Sequence, residues 1–401
     1  MTAGRRVVVV GGSIAGWTTA TALRTRGYDG QITVVERETR CYDRPPLSKT
    51  ALVDSASIDD LAFADAADIA AQRIDVVCGR RVTELHVAGP SVVLDDGTRL
   101  DADTVVLATG ARARQPSFPG ADLPGVTTLR TYADAMTLHG LIGRRVAVVG
   151  AGLIGAEAAA ALRTAGSDVV LIDPHEVPGA HAFGPTLAAH LHAMHAENGV
   201  RTHTGRVRSV VRSGAALRVT LDDGAAFDVD GVLVGTGVEL DTALAEHAGI
   251  EVDGGILVDD AGRTSAPGVF AVGDATCRRS SGAPTPSRGH WDAARLDGLA
   301  AAAAIVGAQP DPRGADWFWS DRYGHHIEVV GDMAGAGDEV TRPGIHPAVF
   351  RVADGRLLAA ASVDDPMAVR AARRLIDRAV PVEVDRLVDP GVPLRTLLPR
   401  A

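Results

Sequence analysis

Two glycine-rich turns of one design occur in this chain, Gly11-Gly12-Ser13-Ile14-Ala15-Gly16 and Gly150-Ala151-Gly152-Leu153-Ile154-Gly155. Each follows a β-branched run, Val7–Val10 and then Arg145–Val149, and opens into a helical stretch, Ala15–Gly27 and then Ile154–Gly166. A second apolar run comes next, Gln31–Glu36 and Asp168–Asp173. Strand, tight turn, helix and strand make a βαβ unit, and unbroken Val/Ile runs are expected where helices cover both faces of a parallel sheet. Glycine in such a turn lets a pyrophosphate approach the helix N-terminus, whose N–H groups and partial positive charge attract it. Glu36 lies 20 residues after Gly16, and Asp173 lies 18 after Gly155. An acid at that spacing, ending a strand, is placed to accept hydrogen bonds from a ribose hydroxyl. A lone fingerprint says little. Two in one chain imply two dinucleotides, and the usual reason for that is hydride transfer from a nicotinamide to a flavin.

The repeat extends beyond the turns. Val82–Leu100, with Asp95-Asp96-Gly97 as a turn, leads into the strand-like Thr104–Thr109; Arg206–Phe227, with Asp222-Asp223-Gly224, leads into Gly231–Gly237. Two related nucleotide domains are expected, the second inserted into the first. From about Trp317 the pattern changes to strands at Ile327–Gly331, Ala348–Val352 and Leu357–Val363, then a helix over Pro366–Ala379. The expected fold class is α/β, with two Rossmann-like domains of the glutathione-reductase type and a C-terminal α+β domain. The expected boundaries are residues 1–113 with 240–316 for the first nucleotide domain, 114–239 for the inserted one, and 317–401 for the C-terminal domain.

Composition fits that plan and excludes other classes. The 401 residues are 46% hydrophobic, enough for several cores, and the 45 glycines suit many strand-to-helix turns. A net charge of −10 argues against nucleic acid, whose phosphates need a basic face. Cys41, Cys78 and Cys277 form no C-x-x-C, so neither a disulfide framework nor a thiolate metal site is indicated. Met1–Arg6 and the four valines after it are too short for a signal peptide. Leu299–Val306 falls well short of the roughly 18 apolar residues of a membrane span. The expectation is a cytoplasmic protein that contacts no membrane. Among the histidines only His192 and His195 share a helical face, no carboxylate completes a ligand set for them or for His181, His190, His325 and His326, and no metal is expected.

A third signal, Thr264–Asp274, ends a strand in Gly273-Asp274, where an acid suits a sugar or ribityl hydroxyl chain. With it stands Tyr42-Asp43-Arg44-Pro45-Pro46-Leu47-Ser48-Lys49, which resembles the Y-D-R-P-P-L-S-K motif of FAD-containing, NAD(P)H-dependent ferredoxin reductases of the putidaredoxin and rubredoxin reductase type. The resemblance runs nearly end to end, through Gly150–Glu157, Gly273-Asp274, His290-Trp291 and Phe318–Gly324.

That resemblance implies a non-covalent FAD and a visiting NADH, with electrons leaving for an iron–sulfur ferredoxin that serves a haem monooxygenase or a Rieske oxygenase. It implies Lys49 beside the flavin, paired with Glu157, as the catalytic residues. A cation there stabilises the reduced anionic ring, and the carboxylate fixes the lysine. It implies FAD contacts at Gly11, Ser13, Ala15, Gly16, Glu36, Arg44, Val82, Arg130, Asp274, Trp291 and Trp319, with the two tryptophans flanking the ring. NADH contacts follow at Gly150, Gly152, Ile154, Gly155, Asp173 and Gly237. Asp173 repels a 2′-phosphate and no arginine lies between it and Arg201, which favours NADH over NADPH. The chain departs from the family at Ser13, at His181, where an arginine is frequent, and at Gly289, where an acid is common. Arg278, Arg279, Arg288 and Arg295 are the candidate docking patch for an acidic ferredoxin. A monomer or homodimer is expected. Two other readings stand beside this one: an NADH-dependent peroxide, disulfide or oxygen reductase using Cys41, and a signalling flavoprotein of the apoptosis-inducing type.

Overall fold

The computed structural model describes residues 5–54, 56–279 and 283–399; the first four residues of the Met1–Arg6 segment lie outside them. The chain divides into two compact units, residues 1–45, 57–112 and 238–313 in one, and residues 46–56, 113–237 and 314–401 in the other.

The first unit is built on a five-stranded parallel sheet in the order Val269–Ala271, Thr104–Leu107, Arg6–Val10, Gln31–Glu36, Ile74–Cys78. Its central strand is buried from Val7 to Val10, which explains the unbroken valines: both faces of the sheet are covered. The helix Ile14–Thr25 lies against one face and packs closely on the helix Trp291–Ile305, where a Cβ on Gly298 would come within 2.6 Å of the Ala15 carbonyl oxygen. A three-stranded antiparallel sheet, Val82–His86, Ser91–Leu94 and Arg99–Asp101, covers the opposite side through Val82, Leu85, Val92 and Leu94.

The second unit repeats this plan. Its parallel sheet runs Arg201–Thr204, Asp168–Asp173, Arg145–Val149, Gly231–Val234, Val126–Thr127. The helix Leu153–Thr164 follows the glycine turn, and the antiparallel sheet Val207–Ser213, Ala216–Leu221, Ala226–Val229 stands where the first unit has its own. Even the irregularities match: each antiparallel sheet opens with a register shift, between Val82 and Glu84 and between Val207 and Ser209.

The second unit also holds the C-terminal antiparallel sheet, in the order Trp317–Arg322, His325–Gly331, Arg356–Val363, Ala348–Ala353, Asp338–Arg342. One face packs on the helix Pro185–Glu197 through Leu187, Leu191 and Met194; the other takes the helix Pro366–Asp377 through Val369, Ala372 and Leu375. That first contact ties the C-terminal sheet into the inserted nucleotide fold. The sequence reading found the three inner strands and missed Trp317–Arg322 and Asp338–Arg342, which form the two edges. Edge strands bury one face at most and carry polar residues, so they lack the apolar run that marks an inner strand. Among the described residues no helix is long and apolar enough to cross a membrane.

Candidate functional site

Both glycine turns have the backbone a dinucleotide cradle needs. Gly11 and Gly150 sit at φ +107° and +98°, a conformation that side-chain-bearing residues rarely adopt. A Cβ on Gly16 would collide with the Gly11 carbonyl oxygen, and one on Gly155 with that of Gly150. Each first helical turn therefore closes directly on its strand. The open N–H groups of helices Ile14–Thr25 and Leu153–Thr164 then present an anion site. Ser13 and Gly152 occupy the same N-cap position, and neither makes a side-chain cap. A Cβ on Gly152 would meet nothing within 4 Å, so a serine there asks no movement of the backbone.

The two acids do the same work in both turns. Gly12 N donates to Glu36 Oε2 at 2.7 Å and Glu38 N donates to Oε1 at 3.0 Å. Ala151 N donates to Asp173 Oδ2 at 2.8 Å and His175 N donates to Oδ1 at 2.9 Å. Each carboxylate thus ties the strand end to the residue after the first glycine. This glycine cradle, helix terminus and fixed acid suit a dinucleotide in both units.

In the first unit, Gly273 approaches the first turn so closely that a Cβ on it would come within 2.9 Å of Ala15 Cβ, which sets Asp274 beside the start of that helix. Trp291 opens the helix Trp291–Ile305, and its Nε1 donates to Asp43 Oδ1 at 2.8 Å, joining the His290-Trp291 pair to the Tyr42–Lys49 motif. Tyr42 Oη donates to Glu38 Oε2 at 2.7 Å and Arg44 Nη2 lies 2.9 Å from Glu38 Oε1. Val82 is buried at its sheet's register shift, where main-chain groups are released from the ladder. Cys41 packs under Gly12. Its hydrogen bond with Cys78, and then burial, push its thiol far above the usual range, so Cys41 stays protonated. A thiol held that way is a poor nucleophile.

The second unit carries the lysine. The helix Thr50–Val53 is anchored by His139 Nδ1, 2.9 Å from Leu52 O, while Tyr132 Oη donates to Ala56 O at 3.0 Å. This sets Lys49 Nζ 3.5 Å from Glu157 Oε1 and 2.7 Å from Asp321 Oδ2. The ammonium also lies 5.2 Å from the Trp319 ring centroid, and that ring is stacked on Trp317 at 5.1 Å. Glu157 is nearly fully buried on the helix Leu153–Thr164. It accepts from Ser48 Oγ at 2.6 Å and Ser320 Oγ at 2.7 Å. Burial works to raise Asp321, but hydrogen bonds from Lys49 and His326 outweigh it and hold that carboxyl below its usual value. Sequence reasoning missed Ser48, Ser320 and Asp321, although all three sit inside motifs it had marked.

Other expected residues of the second unit are spread along it. Arg130 precedes the helix Tyr132–His139, its main-chain N donating to Asp134 Oδ2 at 3.0 Å. Ile154 is half-buried in the first turn of its helix. Gly237 has φ +105°, and its carbonyl oxygen accepts from Arg114 N at 3.0 Å. Two readings need correction. Arg278 is bound to the buried Asp297 at 2.6 Å, Arg279 to Glu251 at 2.5 Å and Arg295 to Asp292 at 2.8 Å, so most of the arginine patch is locally neutralised. A carboxylate does join a set of histidines: Asp364, with His325 and His346, is brought together by tertiary folding that no spacing reveals.

Residues 5–298 match the family described as pyridine nucleotide-disulphide oxidoreductase, and residues 317–398 match the reductase C-terminal family. The chain belongs to the pyridine nucleotide-disulphide oxidoreductases, with the reductase C-terminal domain appended. It is 36% identical, over 98% of this chain and 97% of the other, to the ferredoxin–NAD(+) reductase subunit of the benzene 1,2-dioxygenase system of Pseudomonas putida. It is 33% identical to rhodocoxin reductase of Rhodococcus erythropolis, over 98% of this chain and 94% of that one. The structure is similar to that of putidaredoxin reductase in its covalent complex with putidaredoxin, with a TM-score of 0.92, 31% identity and coverage of 99% and 98% of the two chains.

Proposed function

We propose that this chain is an NADH:ferredoxin oxidoreductase that passes electrons through FAD to an iron–sulfur ferredoxin serving an oxygenase. The observation that carries this reading is the duplicated turn, in which Glu36 and Asp173 hold equivalent hydrogen bonds on two separate glycine cradles. The relatives named above, all reductase components, supply the acceptor class.

In this reading residues 1–113 and 240–316 serve FAD, through Gly11, Ser13, Ala15, Gly16, Glu36, Arg44, Val82, Asp274 and Trp291. Arg130 supplies a cation for its diphosphate, and Trp319 an aromatic face. The inserted domain, 114–239, holds NADH through Gly150, Gly152, Ile154, Gly155, Asp173 and Gly237. When bound, the flavin accepts hydride from the nicotinamide and releases electrons singly. Lys49 supplies positive charge for the reduced ring, and Glu157 with Asp321 holds its ammonium in place. Asp173 rejects a 2′-phosphate by charge.

Cys41 is buried beneath Gly12, which disfavours a thiol-based peroxide or disulfide reductase. The test is anaerobic NADH titration of the purified flavoprotein, followed by NADH-driven reduction of a panel of ferredoxins. Rapid flavin bleaching with ferredoxin turnover supports the reading. A slow, long-lived charge-transfer complex without turnover would turn it toward a signalling flavoprotein.

A further inference from the structure

Four segments of the second unit bring titratable side chains to one spot, next along the chain to the His326 that holds Asp321. His190 comes from the helix Pro185–Glu197, His325 from the start of the strand His325–Gly331, and His346 from the loop before the strand Ala348–Ala353. Asp364 follows the strand Arg356–Val363 and sits at φ +55°. His190 Nε2 lies 2.9 Å from His346 Nδ1, and His325 Nδ1 lies 2.7 Å from Asp364 Oδ2. The His325 and His346 rings stand edge to face with centroids 4.6 Å apart. One ligand atom from each of His325, His346 and Asp364 falls within 4.8 Å of the others.

We propose that His325, His346 and Asp364 form a binding site for one divalent transition-metal ion of the zinc class, with His190 orienting His346 through its hydrogen bond. Ligand atoms at about 2.0–2.1 Å from a tetrahedral ion stand roughly 3.3 Å apart, and those of these three residues already lie within 4.8 Å of one another. Two imidazoles and one carboxylate, with solvent completing the shell, select a borderline ion such as Zn2+ over Mg2+ or Ca2+, which prefer oxygen. The carboxylate is held: Asp364 Oδ1 accepts from His326 N at 2.8 Å, which leaves Oδ2 facing His325. Asp364 is exposed, so an ion can enter from solvent.

The ion would brace the His346 loop, and through its hydrogen bond to His190 the helix Pro185–Glu197, so its effect is on stability rather than on hydride transfer. The test uses the tag-free holoenzyme, stripped with a chelator and passed through a metal-scavenging resin. Titration with ZnCl2 should give one equivalent bound, with a midpoint below about 10 μM and a rise of roughly 5 °C in melting temperature at a hundredfold excess. CoCl2 should give the visible bands of a tetrahedral imidazole site. The variants His190→Ala and His346→Ala should each weaken uptake at least tenfold and abolish the thermal shift, with NADH oxidation unchanged. His325→Gln provides a second variant if either of these fails to fold. No stoichiometric uptake by the wild type, or equal uptake by the folded variants, overturns the proposal.

Discussion

Lys49 Nζ stands closer to Asp321 Oδ2, at 2.7 Å, than to Glu157 Oε1, at 3.5 Å. The two carboxylates differ in setting. Glu157 is buried and already accepts from two serine hydroxyls, whereas Asp321 is more than a third exposed and shared with His326. Glu157→Ala strands buried donors and is expected to cost about 3 kcal/mol. Asp321→Asn, screened by solvent, should cost about 1 kcal/mol or less. Thermal melts of the two variants rank them, and equal losses would refute the ranking.

Removal of the lysine tests chemistry rather than stability. Lys49→Met is expected to slow NADH-driven flavin reduction on the order of 100-fold while the flavin remains bound. Stopped-flow absorbance at saturating NADH measures this, and an unchanged rate would take Lys49 out of the reaction.

One side chain tests the proposed preference for NADH. Asp173→Ala removes the charge that opposes a 2′-phosphate and should narrow the NADH-over-NADPH ratio of kcat/KM by about tenfold. The same substitution leaves Ala151 N without its acceptor, so KM for NADH should rise as well.

The glycine turns make a steric contrast. Gly155→Ala drives a Cβ into the Gly150 carbonyl oxygen and is expected to destabilise by about 1–3 kcal/mol. Gly152→Ala meets only open space and should stay within about 0.5 kcal/mol of the parent in nucleotide-free melts. A comparable loss at Gly152 would show that the turn does not have the backbone described.

A buried histidine sets an acid limit. Burial, then the Arg322 charge and His192, depress His195 to about 3, while its Nδ1 meets Tyr323 Oη at 2.7 Å. The unfolded chain binds that proton near its ordinary value of about 6.5, so between the two values the unfolded state carries more protons. Stability is therefore full above about pH 6.5 and falls as pH drops toward 3, by up to about 1.4 kcal/mol per unit. His195→Gln should flatten the decline in melting temperature between pH 7 and 5. An unaltered slope would assign that decline to other groups.

Arg278 shows where a sequence reading misleads. Counted along the chain, Arg278, Arg279, Arg288 and Arg295 make a basic patch; in the fold, three of them hold carboxylates of their own unit. Arg278→Glu would set a second carboxylate beside the buried Asp297, so it should lower stability and dye reduction together rather than report ferredoxin docking alone.

The turns, the acids that close them and the inner strands were legible in the sequence because local physics dictates them. Gly11 and Gly150 must adopt positive φ, Val7–Val10 must be buried on both faces, and Glu36 and Asp173 must end their strands. Order and spacing along the chain carry that information. Pairings across long separations do not show in spacing. Asp321 on Lys49, Asp297 under Arg278, Cys78 on Cys41, and the meeting of His190, His325 and His346 with Asp364 join residues far apart in sequence. Their partners are chosen when helices close on sheets, and that choice belongs to the packed tertiary structure.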